Sequence, residues 1–357
     1  MRLPTRDITI DQFAQNEMRR NLWNDNFVHA LLTADHTELT IKMRYRGGHT
    51  LNYPKKSYEI RVGNRRLHYN AEFDDPTMMR NALSFQFFEK IGVVSPRTRH
   101  VNLFINGVPQ GVYLEIEGVD RTFFSKRNVQ MISLLYAINN NANFRLTGED
   151  KMKKQSLSAG YEIVIGTPKE LVRIADFVKK IRTLKGSELK VYLRRHLDIP
   201  QYLRWLSGAV CTGNYDGFEQ NYALFRTSKS LKYLISPWDY EGSWGRDCYG
   251  EINNYKALRI TGYNGLTAAL LSFPDIRIQY RNILHNILEQ EFNLHTLGPK
   301  ITDLHSELYP HLIADTSRKH SAYSVHSDLN VFYQYIQERR EFLINEMDKL
   351  NRSKQLT

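Results

Sequence analysis

The sequence predicts an α+β chain in two lobes, a small β-rich N-lobe with one main helix and a larger, mostly helical C-lobe. Three observations predict it. Residues 38–118 alternate apolar and polar side chains in strand-length runs, broken once by a helical stretch, and read as β-β-β-α-β-β. From residue 119 apolar residues recur mainly at helical spacing. One short hairpin, NYALFRT to KYLISPWD, interrupts those helices. At roughly 150 residues per domain, 357 residues suit two lobes, each with a core of its own. The expected division is an N-terminal helical extension at 1–37, an N-lobe at 38–120, a C-lobe at 121–350 and a tail at 351–357.

The extension rests on residues 8–23, where Ile10, Phe13, Met18 and Leu22 would anchor an amphipathic helix. In ELTIKMRYRGGHT, Leu39, Ile41, Met43 and Tyr45 alternate up to Gly47-Gly48, and KKSYEIRV alternates again at Tyr58, Ile60 and Val62. A third short strand fits Leu67–Asn70. DDPTMMRNALSFQFFEKIG carries the signals of a helix: Asp75 as N-cap, Pro76 at the first position, Gly92 past the last turn, and Met79, Leu83, Phe87 and Ile91 on one face. Two further strands flank Asn106-Gly107, a hairpin signal. Helices are expected at 168–184, 187–196, 199–212, 266–272, 274–291, 296–313 and 328–350.

The composition is that of a globular chain, with 41% hydrophobic and 24% charged residues. No run approaches the roughly 18–20 apolar residues of a membrane span, so no membrane role is expected. The first twenty residues show no apolar core of a signal peptide. Two cysteines, Cys211 and Cys248, supply neither a disulfide framework nor a Cys-rich zinc site, and fit a reducing compartment. The twelve histidines form no H-E-x-x-H pair. The net charge is +11, unevenly spread. Residues 40–66 hold eight bases against Glu59 alone, and residues 213–251 hold six acids against four bases. A basic early segment and an acidic late one suit a phosphate clamp and a metal site, although a single such cluster is also what a solvated face looks like. No helix-turn-helix, zinc or RNA-recognition signature accompanies the charge, so no nucleic-acid partner is expected.

The informative stretch is GNYDGFEQNYALFRTSKSLKYLISPWDYEGSWG. Asp216 and Asn221 stand five positions apart after a helix, and Asp239 follows a hairpin. In phosphoryl transfer by protein kinases, one Asp accepts the substrate hydroxyl's proton, an Asn five positions on binds metal, and an Asp beyond a hairpin holds the Mg²⁺ that bridges the phosphates. Here residues 213–222 would be the catalytic loop and 237–245 the metal-binding motif. The same three residues could simply cap turns and anchor a loop. Asn214-Tyr215-Asp216 stands where His-Arg-Asp is usual, and Asp239-Tyr240-Glu241 where Asp-Phe-Gly is. There is no G-x-G-x-x-G loop and no Val-Ala-Ile-Lys strand.

With these pieces the chain resembles the CotH family of atypical protein kinases. The resemblance is carried in order by RYRGGHTLNYPKKSYEI, DPTMMRNALSFQFFEKIG, VNLFINGVPQGVYLEIEGVD, YAINNNANF, YLRWLSGAVCTGNYDGFEQNYALFR and PWDYEGSWGRD, over most of residues 17–345. It implies a kinase-like fold, ATP with Mg²⁺ (or Mn²⁺), and phosphate transfer to serines of other spore-coat proteins, Ser-rich and basic. It also implies synthesis in the mother-cell cytoplasm and residence in the spore coat. Carried over by position, Asp216 is the catalytic aspartate, and Asn221 and Asp239 are the metal ligands. A lysine of Lys55-Lys56 would meet the phosphates. Lys56 is preferred because alternation puts it on the inward face with Tyr58 and Ile60. Arg46, Gly47 and Gly48 would form the loop over the phosphates, where glycine amides can approach an anion closely. Tyr136, Trp238 and Trp244 are the aromatic platforms expected for adenine. Arg80 and Asn81 match a family motif, and Glu72 and Glu89 are the candidate acidic partners of the lysine. The competing reading is a catalytically inactive coat-assembly scaffold with a vestigial nucleotide site.

Overall fold

The computed structural model describes residues 2–20 and 22–351. From residue 352 on, the expected tail lies outside the described residues. Two compact units emerge: Met1–Ala82 with Pro96–Arg127 and Ile301–Leu329, and Leu83–Ser95 with Asn128–Lys300 and Asn330–Thr357. The first unit therefore starts ahead of residue 38 and takes in a late segment, 301–329, that the sequence places in the C-lobe.

In chain order the first elements are β1 (Thr5–Thr9), α1 (Gln12–Arg20), β2 (Val28–Ala34), β3 (Thr37–Arg46), β4 (Ser57–Val62), β5 (Arg65–Asn70), α2 (Arg80–Lys90), β6 (Thr98–Ile105), β7 (Val108–Glu117) and α3 (Arg121–Ser125). The strands close into a barrel in the order β1-β2-β3-β4-β5-β7-β6. Alternation sends Ile8, Leu32, Ile41, Met43, Ile60, Tyr69, Val101 and Leu103 into its core. Segment 1–37 is thus not a helical extension. The helix is shorter than expected, Phe13 is 79% exposed, and β1 and β2 are barrel strands. The cause is non-local: β1 runs parallel to β6, with Ile8 opposite Ile105, and antiparallel to β2. The Asn106-Gly107 hairpin forms as expected, with both residues at positive φ (51° and 73°). Helix α2 starts later than its sequence signals, because the Asp75 carboxylate accepts from the backbone N–H groups of Thr77 and Arg80 and holds a turn ahead of it.

The later elements are β8 (Met131–Ala137), β9 (Tyr161–Ile165), α4 (Lys169–Thr183), α5 (Gly186–His196), α6 (Ile199–Thr212), β10 (Tyr222–Thr227), β11 (Leu234–Pro237), α7 (Gly265–Leu271), α8 (Pro274–Gln290), α9 (Leu294–Ala314) and α10 (Ala322–Met347). The expected hairpin is β10–β11, and it belongs to a four-stranded sheet in the order β11-β10-β8-β9. Strands β8 and β9 escape the sequence reading. MISLLYA is apolar except for Ser133, and so short a run is not assigned by periodicity to strand or helix. No helix among the described residues is long and apolar enough to cross a membrane.

Candidate active site

Helix α6 delivers the loop of Asp216. Asp198 caps its start by accepting from the Gln201 N–H, and Gly213 ends it in the left-handed conformation at φ 76°. Asp216 then opens a short 3-10 turn to Phe218. The Phe218 ring is fully buried and packs on Trp205 at 5.6 Å, pinning the loop.

Asn221 and Asp239 flank the β10–β11 hairpin at its open end. Both have positive φ, 58° and 57°, a region that Asn and Asp tolerate better than other residues with a side chain. Asn221 donates its N–H to the Ala137 carbonyl (3.0 Å) and accepts from the Trp238 N–H (3.1 Å), so it is fixed between β8 and the end of β11. The side-chain amide of Asn214 donates to the Asp239 carbonyl at 3.0 Å. Cys248, half-buried, has its thiol pushed up to about 12 by burial, with the negative charges of Asp216, Asp247 and Glu241 adding to it. Asp216 therefore lies beside the loop that follows Asp239.

A cavity of about 570 Å³ opens at Asp216, lined also by Tyr215, Glu219, Arg145, Arg259 and Tyr263. Burial raises the Glu219 carboxyl above its ordinary value and Glu149 adds to that, while Arg145, at 3.0 Å, and Lys154 oppose it.

Among the described residues no three His, Cys, Asp or Glu side chains gather into a metal cage. A phosphoryl-transfer Mg²⁺ does not require one. It takes one or two carboxylates and completes its oxygen shell with an amide, waters and the nucleotide's own phosphates. The carboxylate of Asp239 and the amide oxygen of Asn221 are donors of that kind, so the residues present fit the ion.

Tyr136 and Trp238 meet in a stack with ring centroids 5.9 Å apart and planes at 21°. Both are half-buried. Trp244 does not join them. It is fully buried between Phe87, Phe292 and Phe332, and its indole N–H donates to the Ser84 hydroxyl at 2.8 Å. No ring face is left for a nucleotide, and the expectation for Trp244 is corrected: it is a core residue of the second unit.

In the first unit, Arg46 donates to the Asn70 side-chain carbonyl at 2.6 Å. Gly47, at φ 128°, sits where a Cβ would lie 2.1 Å from the Thr50 hydroxyl. Gly48 opens the turn over His49–Asn52. Lys56 does not point into the barrel core with Tyr58 and Ile60 as alternation suggests. It precedes β4, and its ammonium reaches back 2.5 Å to the Leu51 carbonyl of the same loop. The buried lysine is Lys55, which donates to Asp315 (2.7 Å) and to the Val112 carbonyl (2.9 Å). Arg80 is fully buried between Asp75 and Asp328, and Asn81 donates to Glu72 at 3.0 Å. Glu89, in α2, is exposed.

Two site features escape the sequence reading: the Asn214 link, although Asn214 stands inside the motif read for Asp216, and the Lys55–Asp315 pair. The second spans 260 residues and leaves no local signal.

The fold is thus mixed α+β, with the loops of Asp216, Asn221 and Asp239 brought together beside one sheet. The chain belongs to the CotH family: the family model described as CotH kinase protein matches residues 43–343. The chain is 34% identical to the inner spore coat protein H of Bacillus subtilis (strain 168) over 98% of both chains. It is 28% identical to an inner spore coat protein H-like protein of the same organism, over 83% of this chain and 87% of that one. Among solved structures, the Helicobacter pylori proinflammatory kinase CtkA aligns over 87% of this chain and 95% of its own at 11% identity, with a TM-score of 0.37, a distant likeness.

Proposed function

We propose that the chain is an atypical Ser/Thr protein kinase that transfers the ATP γ-phosphate to serines of other spore-coat proteins, and so serves coat assembly. Its two units would be the small and large lobes of a kinase-like fold. In this reading the protein is made in the mother-cell cytoplasm and comes to rest in the spore coat. Membership of the CotH family and the similarity to a spore coat protein support the setting.

The observation that carries the catalytic reading is the joining of the two loops, with Asn214 bound to the Asp239 carbonyl and the cavity open at Asp216. A serine hydroxyl entering that cavity meets Asp216, which orients it and accepts its proton. Asn221 and Asp239 would hold Mg²⁺ or Mn²⁺, whose chemistry is to neutralise charge on the phosphates. By the family resemblance, Lys56, Arg46 and the Gly47-Gly48 amides of the first unit are proposed as phosphate-binding groups, and Tyr136 with Trp238 as the platform for adenine. Most of the rate would come from positioning and charge neutralisation.

The test is incubation of the full chain with γ-³²P-labelled ATP, Mg²⁺ or Mn²⁺, and a Ser-rich basic coat protein. Label should enter serine with the wild type and be lost in Asp216→Asn and Asp239→Asn, with circular dichroism unchanged. No transfer by the wild type with either metal would leave an assembly scaffold in its place.

A further inference from the structure

Arg339, in α10, is fully buried; among the described residues no carboxylate forms an ion pair with it, and its Nη2 has no hydrogen-bond partner. A buried guanidinium without a counter-charge is costly unless fixed dipoles replace the lost water. Backbone carbonyls supply those dipoles to Arg339. Its Nε donates to the Val210 carbonyl at 2.8 Å and its Nη1 to the Tyr255 carbonyl at 2.6 Å. Val210 lies in the last turn of α6, where carbonyls lack helical partners and the helix carries its negative end.

Tyr335 lies four residues earlier, on the same face of α10. Its hydroxyl donates to the next carbonyl, that of Cys211, at 3.0 Å. The carbonyl after that, of Thr212, accepts from the Trp244 N–H at 2.7 Å. Three successive carbonyls at the end of α6 are therefore held from outside the helix. Tyr335 also packs closely against both functional loops. A Cβ on Gly213 would lie 2.2 Å from its hydroxyl, and one on Gly245 would lie 3.2 Å from its own Cβ.

We infer that Tyr335 and Arg339 are positioning residues for phosphoryl transfer. By gripping the Val210 and Cys211 carbonyls they fix where α6 stops, and so where Asp216 is presented. This rests on the reading of Asp216 as the proton acceptor. Loss of the grip lets the last turn of α6 fray and moves a loop whose chemistry depends on placement: a misplacement of about 1 Å can cost on the order of a hundredfold in rate.

The experiment uses the full chain with Tyr335→Phe, which keeps the ring and loses one hydrogen bond, and Arg339→Lys, which keeps the charge and loses the fork. Transfer kinetics are measured well below the melting temperature, alongside amide exchange across residues 209–218. The expected result is a fall in kcat of about tenfold or more, with KM for ATP unchanged and faster exchange at the Gly213 amide. A role in stability alone would lower the melting temperature and leave kcat per folded molecule untouched. Wild-type activity with kcat and Gly213 exchange unchanged in both variants overturns the inference alone. A wild type that transfers no phosphate overturns the kinase reading, and this inference with it.

Discussion

The side chain of Asn214 and the backbone carbonyl of Asp239 are joined by a 3.0 Å hydrogen bond across 25 residues of sequence. Asn214 is buried, and its truncation removes this hydrogen bond to the Asp239 carbonyl. Asn214→Ala should cost about 1 kcal/mol in stability. Transfer should suffer more, by roughly tenfold in kcat, because the loops of Asp216 and Asp239 lose their register. Urea denaturation and transfer kinetics on one preparation separate the two effects. A fall in stability with kcat untouched would deny the link a role in chemistry.

Trp238 and Trp244 invite a direct contrast. Trp238 is half-buried against Tyr136, whereas Trp244 lies in the core. Stacking of a base on an aromatic ring contributes about 1–3 kcal/mol. Trp238→Ala should therefore raise KM for ATP by roughly five- to a hundredfold, with little change in melting. Trp244→Ala should cost about 3–5 kcal/mol of stability through the cavity it leaves, with no direct effect on nucleotide affinity in the molecules that stay folded. Fluorescence titration with ATP and thermal melting read the two outcomes.

The contrast shows where sequence stops being informative. Within one short motif nothing separates Trp238 from Trp244. Burial is decided by Phe87, Phe292 and Phe332, which come from distant parts of the chain. Local signals match the structure where it is local, except at the start of α2, where Asp75 holds a turn ahead of the helix. Gly92 ends its helix at φ 81°, and Asn106-Gly107 turns its hairpin. Failures followed long-range pairing. Strand β1 needs β6 before it is a strand, and Lys55 needs Asp315. Of the site, the order Asp216, Asn221, Asp239 was legible, because loop–hairpin spacing is written in sequence. The positive φ values of Asn221 and Asp239, and the atoms that hold them there, were not.

Lys55 and Asp315 form a pair whose side chains are almost wholly buried. Burial works to raise the Asp315 carboxyl, but Lys55, Ser317 and the Val112 N–H outweigh it and hold the carboxyl below its ordinary value. Burial also pushes Lys55 down to about 8, against the pull of Asp315. Asp315 thus contributes stability that is present above about pH 4 and lost as pH falls through its lowered pKa. Lys55, whose pKa is also lowered, works in the same direction in a higher pH window. Between pH 8 and about 10.4 the unfolded chain holds the extra proton, so this group makes stability rise with pH there. Asp315→Asn should cost about 3–5 kcal/mol by stranding the ammonium, and should flatten the acid limb. The double variant Lys55→Met with Asp315→Asn should recover most of that loss, and urea midpoints from pH 3 to 10 measure both. Equal destabilisation in the single and double variants would show that the pair's electrostatics do not govern this part of the barrel.

Cys248 offers a probe of Asp216 that needs no turnover. Its thiol stands at about 12 because it is partly buried and because Asp216, Asp247 and Glu241 surround it with negative charge. Thiolate is the reactive form, so alkylation by iodoacetamide at pH 8 should run far slower than for a free thiol, which titrates near about 8.5. The other cysteine, Cys211, is fully buried and should stay unmodified in the native chain, so a single mass increment reports Cys248. Asp216→Asn removes one of the charges that hold the proton on sulfur. The thiol pKa falls, and alkylation at fixed pH should accelerate. Asp247→Asn should act in the same direction, which separates an electrostatic cause from a local opening peculiar to the Asp216 loop. If Asp216→Asn left the rate unchanged while Asp247→Asn raised it, Asp216 would face away from Cys248, and the placement of its carboxylate beside the loop that follows Asp239 would be wrong.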